Sequence, residues 1–400
     1  MKNNQKLALN GGPKIRKVIL PFGKPDIRKN DINSVVGVMR SGWIGTGPKV
    51  VEFESRIKDY IGVKIAVATS SASAALHLSL LFSKIGSGDE VITSSMTFPS
   101  TVNMIENVGA IPVFVDVNPK TGLIDPENIK KAITKKTKAI LPIHLYGVPC
   151  DMDAIGDIAG KHNLTIIEDA AEAFGAEYKG VRIGKNSHFA AFSFAVNKVI
   201  TTAEGGMLVS DIPGAEDELK MLLLHGLSKG ALVKFPYKGF KEHLVELLGY
   251  KYNMTDMHAA LGISQLKRIE EIFKKRKEIA DKYNKNFKDL PMQSTYQPDG
   301  INKHGLCFYA VLLNLKKLNS DRNTIQKALM AENIGTGIHF YPMHLQPYYA
   351  KKYGYKVGDF PNTELFYQRI LSLPMASGMT DKDINDVIKA VSKVLNFYKK

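Results

Sequence analysis

Lysine is normally left in water, which makes the setting of Lys198 in FSFAVNKVITTAEGGM unusual. It follows a strand-like alternation, Phe192 and Phe194 about Ser193, and precedes Thr201, Thr202, Glu204 and the pair Gly205-Gly206. Such a lysine either trails an apolar stem with its head in solvent or serves as a nucleophile toward a carbonyl. The second use asks for neighbours that lower its pKa and for a cofactor that spreads charge. A second segment, IIEDAAEAFGA from Ile166 to Ala176, ends an apolar run in Glu168 and Asp169. Ligands of open parallel sheets sit beyond the carboxyl ends of strands, so Asp169 either stands at a site or caps a helix. A third, ATSSASAALHLSL from Ala68 to Leu80, reads as strand, tight turn and helix. The N–H groups opening that helix, with the hydroxyl of Ser71 or Ser73, suit a phosphate, although capping by serine also accounts for them. In SSMTFPSTVN, Phe98 falls at a strand end, where its ring belongs to the core or forms a stacking platform.

Taken together, these pieces ask for an aromatic cation met by a carboxylate, a phosphate on a helix N-terminus, a lysine in covalent reach and a ring above. Pyridoxal 5′-phosphate meets all four demands.

The elements that must hold these residues follow from periodicity. The runs Lys64–Ala68, Glu90–Thr93, Pro112–Val117, Ala139–His144 and Thr165–Glu168 are nearly continuous in Ile, Val and Leu, as strands buried on both faces must be. Helical patterns separate them, including Ser73–Phe82 and Pro126–Ala132, which is the rhythm of a parallel sheet covered by helices. Ala190–Phe194 and Gly206–Ser210 read as two more strands, neighbours in the same sheet. The fold class is α/β. A long helix is expected over Met257–Tyr283, followed by a smaller α+β unit: strand Cys307–Leu313, helix Arg322–Glu332, strand Thr336–Phe340 and closing helix Asp381–Phe397. This divides the chain into an N-terminal arm (1–30), a large unit (31–285) and a small C-terminal unit (286–400). The arm, with Gly11, Gly12, Pro13, Pro21 and Pro25, is expected to pack on the body or reach a partner subunit.

Composition narrows the function classes. The chain has 400 residues, 44% of them apolar, enough for one large or two ordinary domains. Two cysteines, Cys150 and Cys307, lie far apart without metal-ligand spacing, so neither a disulfide framework nor a metal site is expected. Met1–Lys17 is polar and basic, and no apolar stretch is long enough to span a bilayer; a cytoplasmic protein with no membrane partner is expected. The net charge of +15 is of a kind that attracts nucleic acid. However, the densest basic run, Lys267–Lys285, is interleaved with Glu270, Glu271, Glu278 and Asp281, and Leu266, Ile269, Phe273 and Ile279 recur near helical spacing. That pattern is a solvated helix face, and no nucleic-acid motif accompanies it; a polyanionic small molecule fits the charge as well.

In their order, SSASAA, MTFPSTVN, IEDAAEA, FSFAVNK and TTAEGGM resemble the DegT/DnrJ/EryC1/StrS sugar aminotransferase family, of fold type I, over most of the chain. The resemblance implies a mostly parallel seven-stranded sheet, pyridoxal 5′-phosphate or its pyridoxamine form as cofactor, and transfer of an amino group from glutamate or glutamine to a nucleotide-linked keto sugar. It implies that Lys198 carries the cofactor and shuttles protons, that Asp169 holds the pyridine nitrogen, that Ala72, Ser73 and Ser193 bind the phosphate, and that Phe98 stacks on the ring. Glu172 would face the same cofactor. Sites shared in a homodimer are implied, with Asn253 reaching the neighbour's phosphate and the loop holding Trp43 and Thr46 covering the neighbour's pocket. His339, Tyr341 and His344 are candidates to line the sugar site. The segments SGWIGTGPK, IGSGDEVITSS, GYKYNMTD and IGTGIHF resemble the branch that aminates UDP-4-keto sugars, the 4-amino-4-deoxy-L-arabinose aminotransferases. Glu172 instead resembles perosamine-forming relatives acting on GDP-4-keto-6-deoxymannose, and LALNGGPKIR resembles the branch that aminates cyclitols. A cofactor-dependent sugar dehydratase and a DNA-binding regulator on the same fold are further readings; an intact Lys198 weighs against the first, and Lys198 with Asp169 against the second.

Overall fold

The structure, a computed structural model, describes residues 6–228 and 244–400; the first five residues of the arm lie outside it. Its main sheet has seven strands: β1 (Ile65–Thr69), β2 (Glu90–Ser94), β3 (Ile111–Val115), β4 (Thr137–Leu141), β5 (Thr165–Asp169), β8 (Phe189–Ser193) and β9 (Gly206–Ser210). Between β5 and β8 lies a two-stranded ribbon, β6 (Glu177–Tyr178) with β7 (Val181–Arg182). The strand order is β1-β9-β8-β5-β4-β2-β3. Only β9 runs antiparallel to its neighbours, so the expected mostly parallel sheet is what the chain forms.

Strands β1, β8 and β9 are buried at every residue, which explains their unbroken apolar or small composition. The helix Ala72–Phe82 behind them is apolar all round and buried from Ala74 to Leu80. Register then sets the site: Thr69 of β1 and Ser193 of β8 both pair with Gly206, the first residue of β9, and Asp169 at the end of β5 lies across from Ala191. The turn after β1, the end of β5 and the turn between β8 and β9 therefore share one edge of the sheet, the carboxyl edge where ligands bind. Glycine is required at Gly206, because a Cβ there would stand 2.4 Å from the Ser71 carbonyl carbon and 2.5 Å from the Ala72 nitrogen.

A second, antiparallel sheet contains β10 (Met292–Ser294), β11 (Tyr309–Leu313) and β12 (Ile370–Leu373) in that order, with helix Arg322–Ala331 against β12 and helix Asp381–Tyr398 against that helix. The expected strand Thr336–Phe340 does not form. Only Gly337 bonds to the sheet edge, exchanging both backbone bonds with Ser372 of β12, after which the chain departs and delivers His339 and Phe340 to the carboxyl edge of the main sheet. The single helix expected over Met257–Tyr283 is two, Asp256–Leu266 and Ile269–Phe287. Between them Arg268 leaves helical geometry (φ −116°, ψ 22°), and its guanidinium pairs with Asp26 at 2.8 Å and Asp31 at 2.9 Å. Leu266, Ile269, Phe273 and Ile279 are buried, as the amphipathic pattern requires.

The arm packs on the body of its own chain. Leu20 bridges Ile334, and the buried Glu332 carboxylate accepts the N–H groups of Ala8 at 2.9 Å and Ile15 at 3.0 Å while pairing with Lys393 at 2.8 Å. Phe22 continues inward to pack against Phe308 and His339.

Candidate active site

A cavity of about 380 Å³ opens at the carboxyl edge of the main sheet. Ser71, Ala72 and Ser73 line it together with Phe98, Asp169, Glu172, Ser193 and Lys198, and Phe308, His339 and Phe340 close it from the C-terminal segment. Segments more than a hundred residues apart in sequence thus converge in one pocket. Trp43, Thr46, Asn253 and Tyr341 are not among the residues that line it.

The turn after β1 is held by Ser71, whose hydroxyl oxygen caps the helix by accepting the Ala74 N–H at 3.1 Å. That leaves the N–H groups of Ala72 and Ser73, which have no carbonyl one turn earlier to meet, at a helix end that favours an anion. The hydroxyls of Ser73 and Ser193 line the same cavity. Serine capping and phosphate cradling are therefore both built into this turn, through different residues.

Lys198 sits in a turn closed at its base by Phe194, whose N–H donates to the Gly205 carbonyl and whose carbonyl accepts the Thr202 N–H, both at 2.9 Å. Its ammonium lies 3.4 Å from Glu172 Oε1 and 5.3 Å from the centre of the Phe308 ring. Burial works to lower its pKa, but the charge of Glu172 and, less strongly, of Asp169 overrides this and the pKa is raised. The expectation of neighbours that lower it is corrected: two carboxylates face Lys198, and it is the one cation among the described residues lining the cavity.

Glu172 is anchored from behind by the Tyr146 N–H, which donates to Oε2 at 2.7 Å, leaving Oε1 for Lys198. Tyr146 is itself fully buried and its hydroxyl donates to the His339 carbonyl. Beneath this layer His144 and Glu168 pair at 2.6 Å, fully buried, and His144 Nδ1 accepts the Cys150 N–H at 3.0 Å. Sequence reasoning missed these supports, because each joins residues with no common local pattern.

Asp169 caps no helix, although its Oδ1 accepts the Ala171 N–H at 3.1 Å in a local turn. Its Oδ2 accepts the hydroxyl proton of Thr101 at 2.6 Å. Burial and the Glu172 charge push its pKa up, and the bonds from Thr101 and Ala171 pull the other way. A carboxylate so buried is favoured as an anion by a cation brought against it, which a protonated pyridine nitrogen supplies. Phe98 is 56% exposed and meets Phe340 edge-on at 5.6 Å, so its ring is free to serve as a platform. The donor set fits pyridoxal 5′-phosphate: helix N–H groups and hydroxyls for the phosphate, Asp169 for the ring nitrogen, Lys198 for the carbonyl.

Of the remaining candidates His339 lines the cavity, and the others lie elsewhere. The Thr46 hydroxyl donates to the Met254 carbonyl at 2.6 Å and accepts from Asn253 Nδ2 at 2.5 Å, while the Asn253 backbone bridges Thr69, two residues before the phosphate turn. Trp43 lines a separate cleft with Pro48 and Asp256. His339 stacks on Phe308 at 4.6 Å, its Nδ1 meets Ser372 Oγ at 2.9 Å, and burial, aided by Lys198, lowers its pKa to about 4, so it presents a neutral imidazole. Tyr341 packs against Tyr367 at 5.2 Å, and His344 is buried between Ser95 and Glu364 in a structural role.

One prediction arises from the Glu172–Lys198 contact. Capture of pyridoxal 5′-phosphate by the stripped protein requires the uncharged amine, so its rate rises with pH through the Lys198 pKa. Glu172→Gln removes the charge that most raises that pKa, and should move this limb to lower pH while leaving the loaded enzyme active. Stopped-flow absorbance across pH would show it; an unmoved limb would mean that Glu172 acts only on local packing.

Likeness to known proteins agrees with this chemistry. Spore coat polysaccharide biosynthesis protein SpsC of Bacillus subtilis is 44% identical, over 95% of this chain and 98% of that protein. Among solved structures, the putative sugar aminotransferase Spr1654 of Streptococcus pneumoniae in its PMP form matches with a TM-score of 0.88 and 32% identity, covering 94% of this chain and 98% of that one. Helicobacter pylori PseC, an aminotransferase of pseudoaminic acid biosynthesis, matches with a TM-score of 0.88 and 27% identity, over 95% and 100%. A carbonyl-reactive lysine, a buried carboxylate and a phosphate turn meeting on this sheet edge are what such an enzyme needs, and the family model matching residues 25–392 agrees: the chain belongs to the DegT/DnrJ/EryC1/StrS aminotransferase family, whose members are pyridoxal-phosphate-dependent sugar aminotransferases.

Proposed function

We propose that this enzyme moves an amino group from glutamate or glutamine to the keto carbon of a nucleotide-linked sugar, a UDP-4-keto sugar foremost, in the making of a surface polysaccharide. The observation that carries the reading is the meeting of Lys198, Asp169 and the Ser71–Ser73 turn in one cavity whose outer wall is aromatic. Aromatic faces suit a sugar ring, and the similarity to SpsC supports a polysaccharide setting. The four segments that resemble the UDP-4-keto sugar branch favour that nucleotide; Glu172 keeps a GDP-linked substrate as the second reading.

Bound there, the cofactor would supply an electron sink for the carbon that loses its proton. Lys198, once its amine is free, would take that proton on Nζ and return it to the carbon on the far side of the transferred nitrogen, first with the donor and then, in reverse order, with the sugar. Glu172 Oε1 steers the amine through this exchange. Asp169 keeps a proton on the ring nitrogen through a charge-assisted bond worth roughly 1.5–3 kcal/mol. The neutral His339 offers the sugar a hydrogen-bonding edge without adding charge.

The reading includes the arm, large unit and small unit divided at about residues 30 and 285, a cytoplasmic location and a homodimer with shared sites. Among the described residues no helix is long and apolar enough to cross a membrane. The cavity lining sets Asp169, Glu172 and Glu204 against one lysine, so the diphosphate of a nucleotide sugar needs cations from beyond it, as a shared site allows. The net charge of +15 would raise the encounter rate with such a substrate. Asn253 and the loop of Trp43 and Thr46, which lie off the cavity of their own chain, are then read as serving the neighbour's. Inactive Lys198→Ala subunits mixed with Asn253→Ala subunits should regain activity, since each heterodimer holds one site free of both lesions. Mixed dimers without recovered activity would place Asn253 outside the shared site.

The substrate is tested with a panel of UDP-, GDP- and dTDP-4-keto sugars, each with glutamate and with glutamine, the products read by mass. Amination of a UDP-4-keto sugar is expected. Preferred amination of a GDP-linked sugar would assign the perosamine-type reading, and amination of none would remove the nucleotide sugar.

A further inference from the structure

We propose that Thr101 is a positioning residue for the cofactor: its hydroxyl, itself oriented by Thr97, fixes the rotation of the Asp169 carboxylate so that it is aimed at the ring nitrogen. The inference rests on reading the cavity as a pyridoxal-phosphate site, and it concerns a residue that lies behind that cavity and does not line it.

The geometry is closed on every side. Thr101 is fully buried, and its Oγ1 stands 2.6 Å from Asp169 Oδ2 and 2.8 Å from Thr97 Oγ1, with Thr97 also fully buried. A hydroxyl has one proton to give. The carboxylate takes the Thr101 proton, so the Thr97 hydroxyl must donate to Thr101, and the direction of the chain Thr97 to Thr101 to Asp169 is set. On the other side Oδ1 accepts the Ala171 N–H at 3.1 Å. Each carboxylate oxygen is thus tied by a different segment, and the plane of the group is locked.

The hydroxyl is held as firmly as the carboxylate. Threonine is stiff at χ1, and Thr101 lies in the first turn of the helix Pro99–Asn107, its N–H donating to the Phe98 carbonyl at 3.2 Å. One helical turn therefore carries both Phe98, the platform at the cavity, and the group that aims the carboxylate. The C-terminal segment clamps that helix from outside, with the Tyr353 hydroxyl donating to Glu106 at 2.5 Å and the Tyr349 hydroxyl to Asn103. A short bond to a buried carboxylate also favours its charged form, the form that a protonated ring nitrogen requires.

The test compares two ligands on the full-length protein stripped of cofactor: pyridoxal 5′-phosphate and its carbocyclic analogue, in which C–H replaces the ring nitrogen. Equilibrium affinities are read from absorbance and from quenching of Trp43, the single tryptophan. Thr101→Val should weaken pyridoxal 5′-phosphate about tenfold or more and leave the analogue within about twofold, and Thr101→Ser should restore the parent value. If Thr101→Val does not fold, Thr101→Ala carries the same comparison. Equal weakening of both ligands would make Thr101 a packing residue, and no weakening of either would leave Asp169 positioned without it; both results overturn the proposal. Failure of the parent to take up pyridoxal 5′-phosphate at all would overturn the reading of the cavity, and this inference with it.

Discussion

Lys198→Ala should fold as the parent does, lose the visible absorbance of lysine-bound cofactor, and lose turnover by roughly 10^3-fold or more. Two functions vanish together: the covalent hold on the carbonyl, and the amine that carries the proton between two carbons. Folding should survive, because the turn is built by Phe194, Thr201, Thr202 and Gly205, none of which bonds through the lysine side chain. Removing the ammonium leaves Glu172 with the Tyr146 N–H as its anchor, so the carboxylate is not orphaned. Near-parental turnover in this variant would sink the account of the site.

Asp169→Asn should also keep the fold, since an amide oxygen can still accept the Ala171 N–H. What it cannot supply is a negative charge beside the ring nitrogen. A hydrogen bond to a charged group is worth about 1.5–3 kcal/mol, so cofactor retention should fall by about ten- to a hundredfold, with a further loss of rate for whatever cofactor stays bound. A weakened local turn alone would cost at most about 1 kcal/mol of stability and leave the rate intact. Measuring turnover per bound cofactor separates the two. A variant that is merely less stable would return Asp169 to a structural role.

The same contrast shows what was legible in the sequence. Lys198, Asp169 and Ser73 announce themselves locally, because each interrupts a strong pattern: a lysine between buried strands, a carboxylate at a strand end, small residues opening an apolar helix. The main sheet was legible for the same reason, its strands being buried on both faces and separated by helices of ordinary length. Thr101, the Tyr146 N–H and the His144–Glu168 pair left no such mark. They are contacts across 68, 26 and 24 positions that exist only once the sheet has brought β2, β4 and β5 side by side.

The expectations that failed share a cause. The expected strand Thr336–Phe340 lies in a run where glycine alternates with β-branched residues from Ile334 to Ile338, but only Gly337 meets the sheet edge before the chain turns His339 and Phe340 into the cavity. Helical periodicity runs on past Leu266, yet the pull of Asp26 and Asp31 on Arg268 breaks the helix there. In both places a distant partner outweighed local propensity. The pKa of Lys198 is a third case: the sequence placed the lysine, but only the fold showed that Glu172 and Asp169 would both face it.

The central claim, that Lys198 is the residue which holds pyridoxal 5′-phosphate, is tested most directly by borohydride. The purified protein is loaded with the cofactor, reduced, digested and mapped by mass. The account predicts one reduced pyridoxyl phosphate group per chain, on the peptide that contains Lys198. A group fixed to any other lysine, spread over several, or absent altogether would contradict it.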